Sequence, residues 1–359
     1  MTRAMMAALL AFAGCSGATP DLAQTKPRDA SPNVAEPTAP AHLEPPPASA
    51  ACGARGSTTP PQAIAQIGVT TNASCARLAD HSVWCWGARG TTRIDNDVLG
   101  SLACSVATRV TELSPAAHLA GAACIARDSG GVRCGELDRW LFDEEQPLDA
   151  RSVFYWAGER CAITKSKTIR CTRRERTTEA ATLGSVEQVA FLDRSLCVLA
   201  AGRVTCRIGE TNVVLGTNVA SIASAERWLW ATRDDGTLLN LQLCGAKPCE
   251  YAQNLVQGLV SEIASSGPHT CIRTRSGRVW CERRCTVMGC KEQGFIEVAG
   301  IAGATHVAVS PDHACVAHES KTVSCWGESN CGQAGGGPGA GKACGPSTSV
   351  PPTTIQWAK

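Results

Sequence analysis

Short runs of β-prone residues alternate with polar turns along most of the chain, and the clearest example lies near its end. There, residues 313–318 and 322–327 are two such runs on either side of a polar turn. Each run contains one cysteine, Cys315 or Cys325, and the two are ten positions apart. A Trp-Gly pair and a glycine-rich segment follow. Runs of this kind around a tight turn predict a β-hairpin.

The same pattern recurs through the sequence as imperfect copies. The two cysteines are ten positions apart in five copies and nine apart in one. These pairs are Cys75 and Cys85, Cys124 and Cys134, Cys161 and Cys171, Cys197 and Cys206, Cys271 and Cys281, and Cys315 and Cys325. A seventh copy has Trp230 and Asn240 in the two cysteine positions. Because repeats of about 40 residues with short strands are the size of a propeller blade, we predict an all-β fold, a seven-bladed β-propeller.

The spacing of the cysteines also predicts how each hairpin turns. Residues ten apart face each other only across a loop with an odd number of residues, and three-residue loops prefer glycine in the last, left-handed place. The nine-apart copy has a two-residue loop, Ala201-Gly202. In the others the last place holds Gly130, Gly236, Gly277, His81, Lys167 or Lys321. Directly opposed residues of antiparallel strands lie close enough for a disulfide, so we predict that all six pairs form disulfides within blades.

The remaining cysteines can be paired as well. Of 21 cysteines, eight remain after Cys15 and the six pairs are set aside. We predict the disulfides Cys244–Cys249, Cys285–Cys290, Cys331–Cys344 and, by elimination, Cys52–Cys104. A zinc site around residues 281–290 is the alternative, but the cysteines there lack the two-residue spacing of zinc knuckles and a histidine partner. Regularly spaced cysteines in this number favour an oxidising compartment, and we predict neither a metal nor a cofactor.

The amino terminus has the composition of an export signal. Residues 1–13 contain an early arginine and an apolar run too short to span a bilayer. The run Leu9–Cys15 resembles the lipobox of bacterial lipoproteins, which implies cleavage before Cys15 and acylation of that cysteine, although Phe12 stands where leucine is usual. The alternative is an ordinary signal peptide that contains a cysteine. By the same analogy, Ser16 favours the outer membrane, so the predicted location is the cell envelope.

A proline-rich segment separates the amino-terminal signal from the repeats. Ten of the 19 prolines lie between residues 16 and 61, among Ala, Thr and Ser. Such a segment buries too little apolar surface to order itself. We therefore predict a lipoprotein signal peptide over residues 1–15, a disordered Pro/Ala-rich tether over 16–62, and the propeller over 63–359.

The motifs of the last copy are His313-Ala314-Cys315, Val323-Ser324-Cys325-Trp326-Gly327 and Gly332-Gln333-Ala334-Gly335. They resemble the repeat of the regulator of chromosome condensation family, which reads His-Thr-x-Ala-Leu, Asp-Gly-x-Val-x-x-Trp-Gly and Asn-x-x-Gly-Gln-Leu-Gly. The resemblance extends over all seven copies, is strongest in the first, sixth and seventh, and implies a seven-bladed propeller. The cysteine pairs resemble a secreted bacterial lipoprotein branch of this repeat. The family's nucleotide-exchange and chromatin functions are not implied, because a fold does not set function.

Two sets of side chains are candidate binding residues. Trp228 and Trp230 lie in the copy without cysteines, where a tryptophan either fills the space of the missing bridge or faces a ligand at the propeller rim. Arg173 and Arg174 belong to a basic run over residues 165–176. That run is either a solvated hairpin edge or a patch for an acidic partner or lipopolysaccharide phosphates.

Together these features predict a non-enzymatic binding or scaffold lipoprotein whose propeller loops contact a protein or an envelope glycan. We expect the long insertions after Trp86 and Trp326 to carry the contacts. A formal net charge of +2 gives no bias toward nucleic acid, and the membrane is contacted only through the N-terminal lipid anchor. One alternative is inhibition of a secreted enzyme of the β-lactamase type, which propellers of similar repeat perform.

The other alternative is a propeller that acts on glycans. Glycoside hydrolysis needs paired carboxylates that converge on the substrate. The positions after the second cysteine of each copy are Trp86, Gly135, Thr172, Arg207, Leu241, Glu282 and Trp326. With one acid among seven positions, the sequence does not favour an enzyme.

Overall fold

The computed structural model describes residues 55–94, 98–120, 124–136, 141–142, 146–156, 159–173, 176–179, 185–192, 195–224, 228–244, 247–253, 258–266, 269–283, 294–335, 342–343 and 349–358. All described residues belong to one compact unit, Pro45–Lys359. Within it, seven sheets, each built around four antiparallel strands, form the blades of a propeller, as predicted.

The strands run in chain order from the innermost to the outermost position of each blade. Strand β1 (Arg55–Ser57) precedes blade 1, which contains β2 (Ile64–Val69), β3 (Ala73–Leu78), β4 (Val83–Ile94) and β5 (Val98–Arg109). After a 3-10 turn at Thr111–Leu113, blade 2 contains β6 (His118–Ala120), β7 (Cys124–Ala126), β8 (Gly131–Glu136), the short β9 (Leu141–Phe142) and β10 (Gln146–Pro147). Blade 3 contains β11 (Ala150–Trp156), β12 (Glu159–Thr164), β13 (Ile169–Arg173) and β14 (Arg176–Glu179).

The later blades follow the same order. Blade 4 contains β15 (Gln188–Leu192), β16 (Ser195–Ala200), β17 (Arg203–Ile208) and β18 (Thr211–Gly216). Blade 5 contains β19 (Ser221–Ser224), β20 (Leu229–Thr232), β21 (Leu238–Cys244) and β22 (Lys247–Gln253). Blade 6 contains β23 (Val260–Ser266), β24 (His269–Thr274), β25 (Val279–Arg283) and β26 (Gly294–Glu297). Blade 7 contains β27 (Ala304–Val309), β28 (His313–His318), β29 (Val323–Glu328) and β31 (Ser349–Thr354), and β30 (Lys342–Ala343) and β32 (Gln356–Ala358) lie outside it.

The hairpin turns join each blade to the next. All seven residues in the predicted left-handed place have positive φ: His81, Gly130, Lys167, Gly202, Gly236, Gly277 and Lys321. In six of them the backbone carbonyl accepts a hydrogen bond of 2.7–3.1 Å from an N–H near the start of the next blade, as Lys167 does from Val186. At Gly130 a Cβ atom would lie 2.7 Å from the Cα atom of Asp149, so only glycine fits there. The turns therefore set the spacing between blades.

The cysteine pairs lie within the blades and beside the core. All six predicted hairpin pairs are directly opposed and form disulfides, with Cα–Cα distances of 3.9–4.1 Å. Blade 5 instead opposes Trp230 to Asn240. Seven clusters of buried apolar side chains fill the seven interfaces between neighbouring blades. The predicted propeller with disulfides inside its blades is therefore confirmed.

Both ends of the described chain meet at the outer edge of blade 1. Strand β32 pairs in parallel with β5, and β1 pairs with β32 in antiparallel orientation. Trp357 of β32 is buried, and its ring lies 5.8 Å from that of Trp84 and 6.2 Å from that of Trp86, in edge-to-face arrangements. Strand structure therefore begins at Arg55, inside the segment 16–62 that the sequence predicts to be tether.

Candidate functional site

The two insertions expected to carry contacts meet at one end of the propeller. The first is the hairpin of β4 and β5, which at twelve residues each are the longest described strands. In the second insertion, strand β30 pairs with β5, so that Lys342 and Ala343 are opposite Ala103 and Leu102. These segments lie about 240 residues apart in the sequence and form one sheet. We call the β4–β5 hairpin, Ser329–Gly335 and β30 together the loop platform.

The segment Ser329–Gly335 fixes the platform on the first blade. The backbone carbonyl of Gln333 accepts hydrogen bonds from Nε1 of Trp86 at 2.9 Å and from Oγ of Ser74 at 3.1 Å. The Gln333 side chain is also buried, and its Nε2 donates to Oδ1 of Asn330 at 2.6 Å. The Gly-Gln-Ala-Gly motif thus fills the seam between blades 7 and 1 and holds the insertion in place.

Beside the platform, a groove of about 190 Å³ lies between blades 6 and 7. Trp326, Asp312, Glu282 and His269 line it, and the disulfide of Cys271 with Cys281 lies against it. Small-molecule pockets usually have about 300–1,000 Å³, so this groove has the size of a single inserted side chain. An aromatic face beside two carboxylates is suited to a cationic group. Sequence reasoning missed the site because its acids belong to different repeats.

The candidate tryptophans occupy different environments. Trp230 is only 3% exposed and packs edge-to-face against Phe295, with ring centroids 5.3 Å apart. It lies in the core between blades 5 and 6, so it fills space and does not face a ligand at the rim. Trp228 is half-buried against the same cluster and retains a partly exposed surface.

The basic run of blade 3 does not form one patch. Lys165 and Lys167 lie at the hairpin-turn end of the blade, where Lys165 Nζ donates to the backbone carbonyl of Asp128 at 2.8 Å. Arg173 ends β13 at the opposite end of the blade, paired in register with Arg176. Arg174 lies outside the described residues. The run is therefore divided between the two faces of the propeller.

The remaining described cysteines are also disulfide-bonded. Cys244 and Cys249 form a disulfide across the β21–β22 hairpin. Cys104 and Cys331 are disulfide-bonded, and the partners predicted for them, Cys52 and Cys344, lie outside the described residues together with Cys285, Cys290 and Cys15. So many disulfides indicate an oxidising, extracytoplasmic location.

The part of the chain that the structure describes has neither a metal-binding cluster nor a membrane-spanning helix. No group of three or more His, Cys, Asp or Glu side chains there is arranged to hold a metal ion. No helix among those same residues is long and apolar enough to cross a membrane.

The strand order and closed ring define the protein class: a seven-bladed β-propeller. Residues 304–333, most of the inner part of blade 7, match the model of the Regulator of chromosome condensation (RCC1) repeat. The resemblance to that repeat is thereby confirmed, while membership of a bacterial lipoprotein branch stays a prediction. No protein of curated function matches the sequence.

Several solved structures are similar in fold. Yeast RCC1 (Prp20), solved with Kap60, is 15% identical over 80% of this chain and 74% of that chain, with a TM-score of 0.46. Human WBSCR16 is 14% identical over 82% of each chain, with a TM-score of 0.44. PorZ of Porphyromonas gingivalis, a surface component of the type-IX secretion system, is 12% identical, with a TM-score of 0.53 over 81% of this chain and 38% of that one. At these identities the likeness concerns the fold alone.

Proposed function

We propose that this protein is a non-enzymatic binding scaffold of the cell envelope that captures a protein partner on its loop platform. The observation that carries the proposal is the pairing of β30 with β5, which joins two distant insertions into one surface. Loops placed on a rigid scaffold are the usual carriers of recognition. The opposite face has shorter turns, and six of these are hydrogen-bonded to the next blade.

The groove beside the platform adds specificity to this surface. Trp326 and Asp312 offer an aromatic face and a carboxylate, and an arginine or lysine of the partner would insert between them. A predicted lipid on Cys15 and the predicted tether over residues 16–62, the last part of which includes strand β1, would hold the propeller outside the cytoplasm. Trp228, Arg173 and Arg174 remain secondary candidates for contacts.

Capture of a partner from envelope extract under non-reducing conditions tests the proposal. The full chain is compared with a variant in which residues 91–101 are replaced by Asn-Gly, which shortens the β4–β5 hairpin and leaves the blade intact. The matched control is Arg203→Glu, an exposed change at the turn end of blade 4. We expect one stoichiometric protein that is lost from the hairpin variant and kept by the control.

Two results would contradict the proposal. A partner retained equally by the hairpin variant would place binding elsewhere on the ring. Retention of envelope polysaccharide without any protein would favour the glycan alternative, and turnover of that polysaccharide would then be measured.

A further inference from the structure

One disulfide in the described part of the chain differs from the others in its exposure. The bridge of Cys244 with Cys249 lies at the end of the β21–β22 hairpin, where Cys244 is exposed and Cys249 is half-buried. The other described cysteines are buried, at 0–3% exposure, except Cys281, which is half-buried. Thiol exchange begins when a thiolate reaches a disulfide sulfur, so exposed bridges are the ones that exchange. The Cys244–Cys249 bridge is therefore the most accessible of those described.

Two neighbouring groups stabilise a negative charge on Cys244. Oη of Tyr251 lies 3.4 Å from Sγ of Cys244. Because a disulfide sulfur carries no proton, the tyrosine hydroxyl is the donor of this contact. Lys247 lies directly opposite Cys244 in the strand register, so both side chains are on the same face of the hairpin. A hydroxyl donor and a nearby cation both favour the thiolate form of a cysteine.

The acid next to the bridge does not cancel this charge. Glu250 directly follows Cys249 in β22, so its side chain points to the opposite face of the hairpin. It also forms an ion pair with Arg233 of the preceding turn. Of the residues of β21 and β22 that share the face of the disulfide, Lys247 is the one charged residue. The electrostatic environment of the bridge therefore favours a thiolate.

Opening this bridge leaves the blade paired. Strands β21 and β22 are opposed at seven positions, from Leu238 with Gln253 to Cys244 with Lys247. The two cysteines are five positions apart, so their bridge closes a short loop and restrains the unfolded chain little. The six hairpin disulfides lie instead among the apolar side chains of the core. A thiol can therefore open the Cys244–Cys249 bridge while the ring stays folded.

The bridge lies on the same face of the ring as the loop platform. The β21–β22 and β4–β5 hairpins each connect the third strand of a blade to the fourth, and the strands of both blades run in the same order from the axis outward. A small thiol from solvent and a cysteine of a protein that contacts this face can both approach it.

We propose that the Cys244–Cys249 bridge is a thiol-exchange site, at which a thiol of another molecule forms a mixed disulfide with Cys249. The incoming thiolate bonds to Sγ of Cys249, and the bond between the two protein sulfurs breaks. Its electron pair leaves on Sγ of Cys244, where the Tyr251 hydroxyl and Lys247 stabilise the thiolate. The exchange goes beyond the proposed capture of a partner and does not require one on the platform.

A second thiol completes the exchange. Its thiolate attacks the sulfur of the bound group, which releases a disulfide of the two thiols and leaves Cys249 as a thiolate. Two electrons pass from the two thiols to the protein bridge, and the protons of the two thiols end on Cys244 and Cys249. The bridge itself is the oxidant.

Incubation of the full, oxidised chain with mercaptoethanol, followed by alkylation with N-ethylmaleimide and peptide mapping, tests the proposal. We expect mercaptoethanol on Cys249 and maleimide on Cys244 before any hairpin cysteine is labelled. Tyr251→Phe, a change at an exposed ring, should slow the exchange about fivefold. Lys247→Gln should slow it about twofold at low salt and not at high salt. The matched control, Glu250→Gln on the opposite face, should exchange at the wild-type rate.

A short peptide of no net charge with one cysteine distinguishes the two sources of the thiol. The rate of each thiol is divided by its rate with oxidised glutathione, which corrects for intrinsic reactivity. A larger ratio for the peptide indicates a protein cysteine as the natural thiol, and a larger ratio for mercaptoethanol indicates a small thiol. Opening of Cys271–Cys281 at the same rate, attachment of mercaptoethanol to Cys244 instead of Cys249, or a wild-type rate in Tyr251→Phe would overturn the proposal.

Discussion

Nε2 of His313 lies 2.6 Å from Oγ of Ser74, and this contact joins the last blade to the first. Ser74 donates its own proton to the carbonyl of Gln333, so it accepts from Nε2 of His313. Nδ1 of His313 lies 2.9 Å from Oγ of Ser310, and that hydroxyl also donates to the backbone carbonyl of His313 at 3.1 Å. Burial lowers the pKa of His313 to about 4, so its imidazole is neutral at pH 7.

This network predicts a loss of stability in acid. The unfolded chain binds the proton of His313 near pH 6.5 and the folded chain only near pH 4, so the stabilisation is complete above 6.5 and is lost as the pH falls toward 4. A difference of this size corresponds to about 3 kcal/mol. Urea unfolding between pH 7 and 4 should show a smaller pH dependence for His313→Gln than for the exposed control His269→Gln. Equal slopes would contradict the prediction. The pKa of His118 is also lowered to about 4, and this residue contributes in the same direction. The unfolding free energy of His313→Gln should therefore keep part of its pH dependence.

The turn glycines should differ in their tolerance of a side chain. In Gly277→Ala the new Cβ would lie 2.8 Å from the backbone N of Ala304, whereas at Gly202 the nearest atom is 3.8 Å away. Both positions have positive φ, so both variants cost about 1–2 kcal/mol of backbone strain. Gly277→Ala should lose about 1–3 kcal/mol more, because the next blade must move. Denaturant midpoints of the two variants measure the difference, and equal losses would show that the blades adjust freely.

How much the sequence predicts depends on whether a contact is local. Cysteines at a separation of ten and left-handed residues such as Lys167 define each hairpin by themselves, so blades and disulfides were predictable. The pairing of Lys342 with Ala103 was not, because it joins segments from opposite ends of the chain that share no pattern. The groove between Glu282 and Asp312 was likewise not predictable, because these two acids belong to different repeats. Arg55–Ser57 were assigned to the tether because their strand partner, β32, follows the last repeat.

Every described cysteine is oxidised, which makes the disulfides directly testable. Alkylation of the unfolded, unreduced chain should leave these cysteines unlabelled in a mass spectrum, and several labelled sites would refute the pairing.

Removal of one blade disulfide should destabilise the protein. The double change Cys161→Ser with Cys171→Ser should lower the unfolding free energy by about 2–3 kcal/mol. The matched double change at Cys244 and Cys249 should cost less, since that bridge closes a shorter loop at an exposed hairpin end.

The predicted lipid anchor can be tested at a single residue. Cys15→Ser should shift the protein from the membrane fraction to the released fraction in the native host, because acylation needs the thiol. Mass spectrometry of the mature amino terminus of the wild-type protein should find Cys15 increased in mass by its attached acyl chains. An unmodified Cys15 would favour the ordinary signal peptide instead.

Closure of the ring should depend on the last residues of the chain. Trp357 is buried between the first and last blades, and its strand joins β1 to β5. Trp357→Ala removes a large core side chain and should cost about 3–5 kcal/mol. Trp230→Ala removes an equally buried ring from the interface of blades 5 and 6 and serves as the matched control. Hydrogen exchange distinguishes the two.

In Trp357→Ala, amide protection should fall first in blades 1 and 7, because β1 and β32 lose their attachment and the seam opens while the other interfaces persist. In Trp230→Ala the loss should centre on blades 5 and 6. A uniform loss of protection in both variants would mean that the ring unfolds as one cooperative unit, and the terminal strands would then add stability without acting as a local closure.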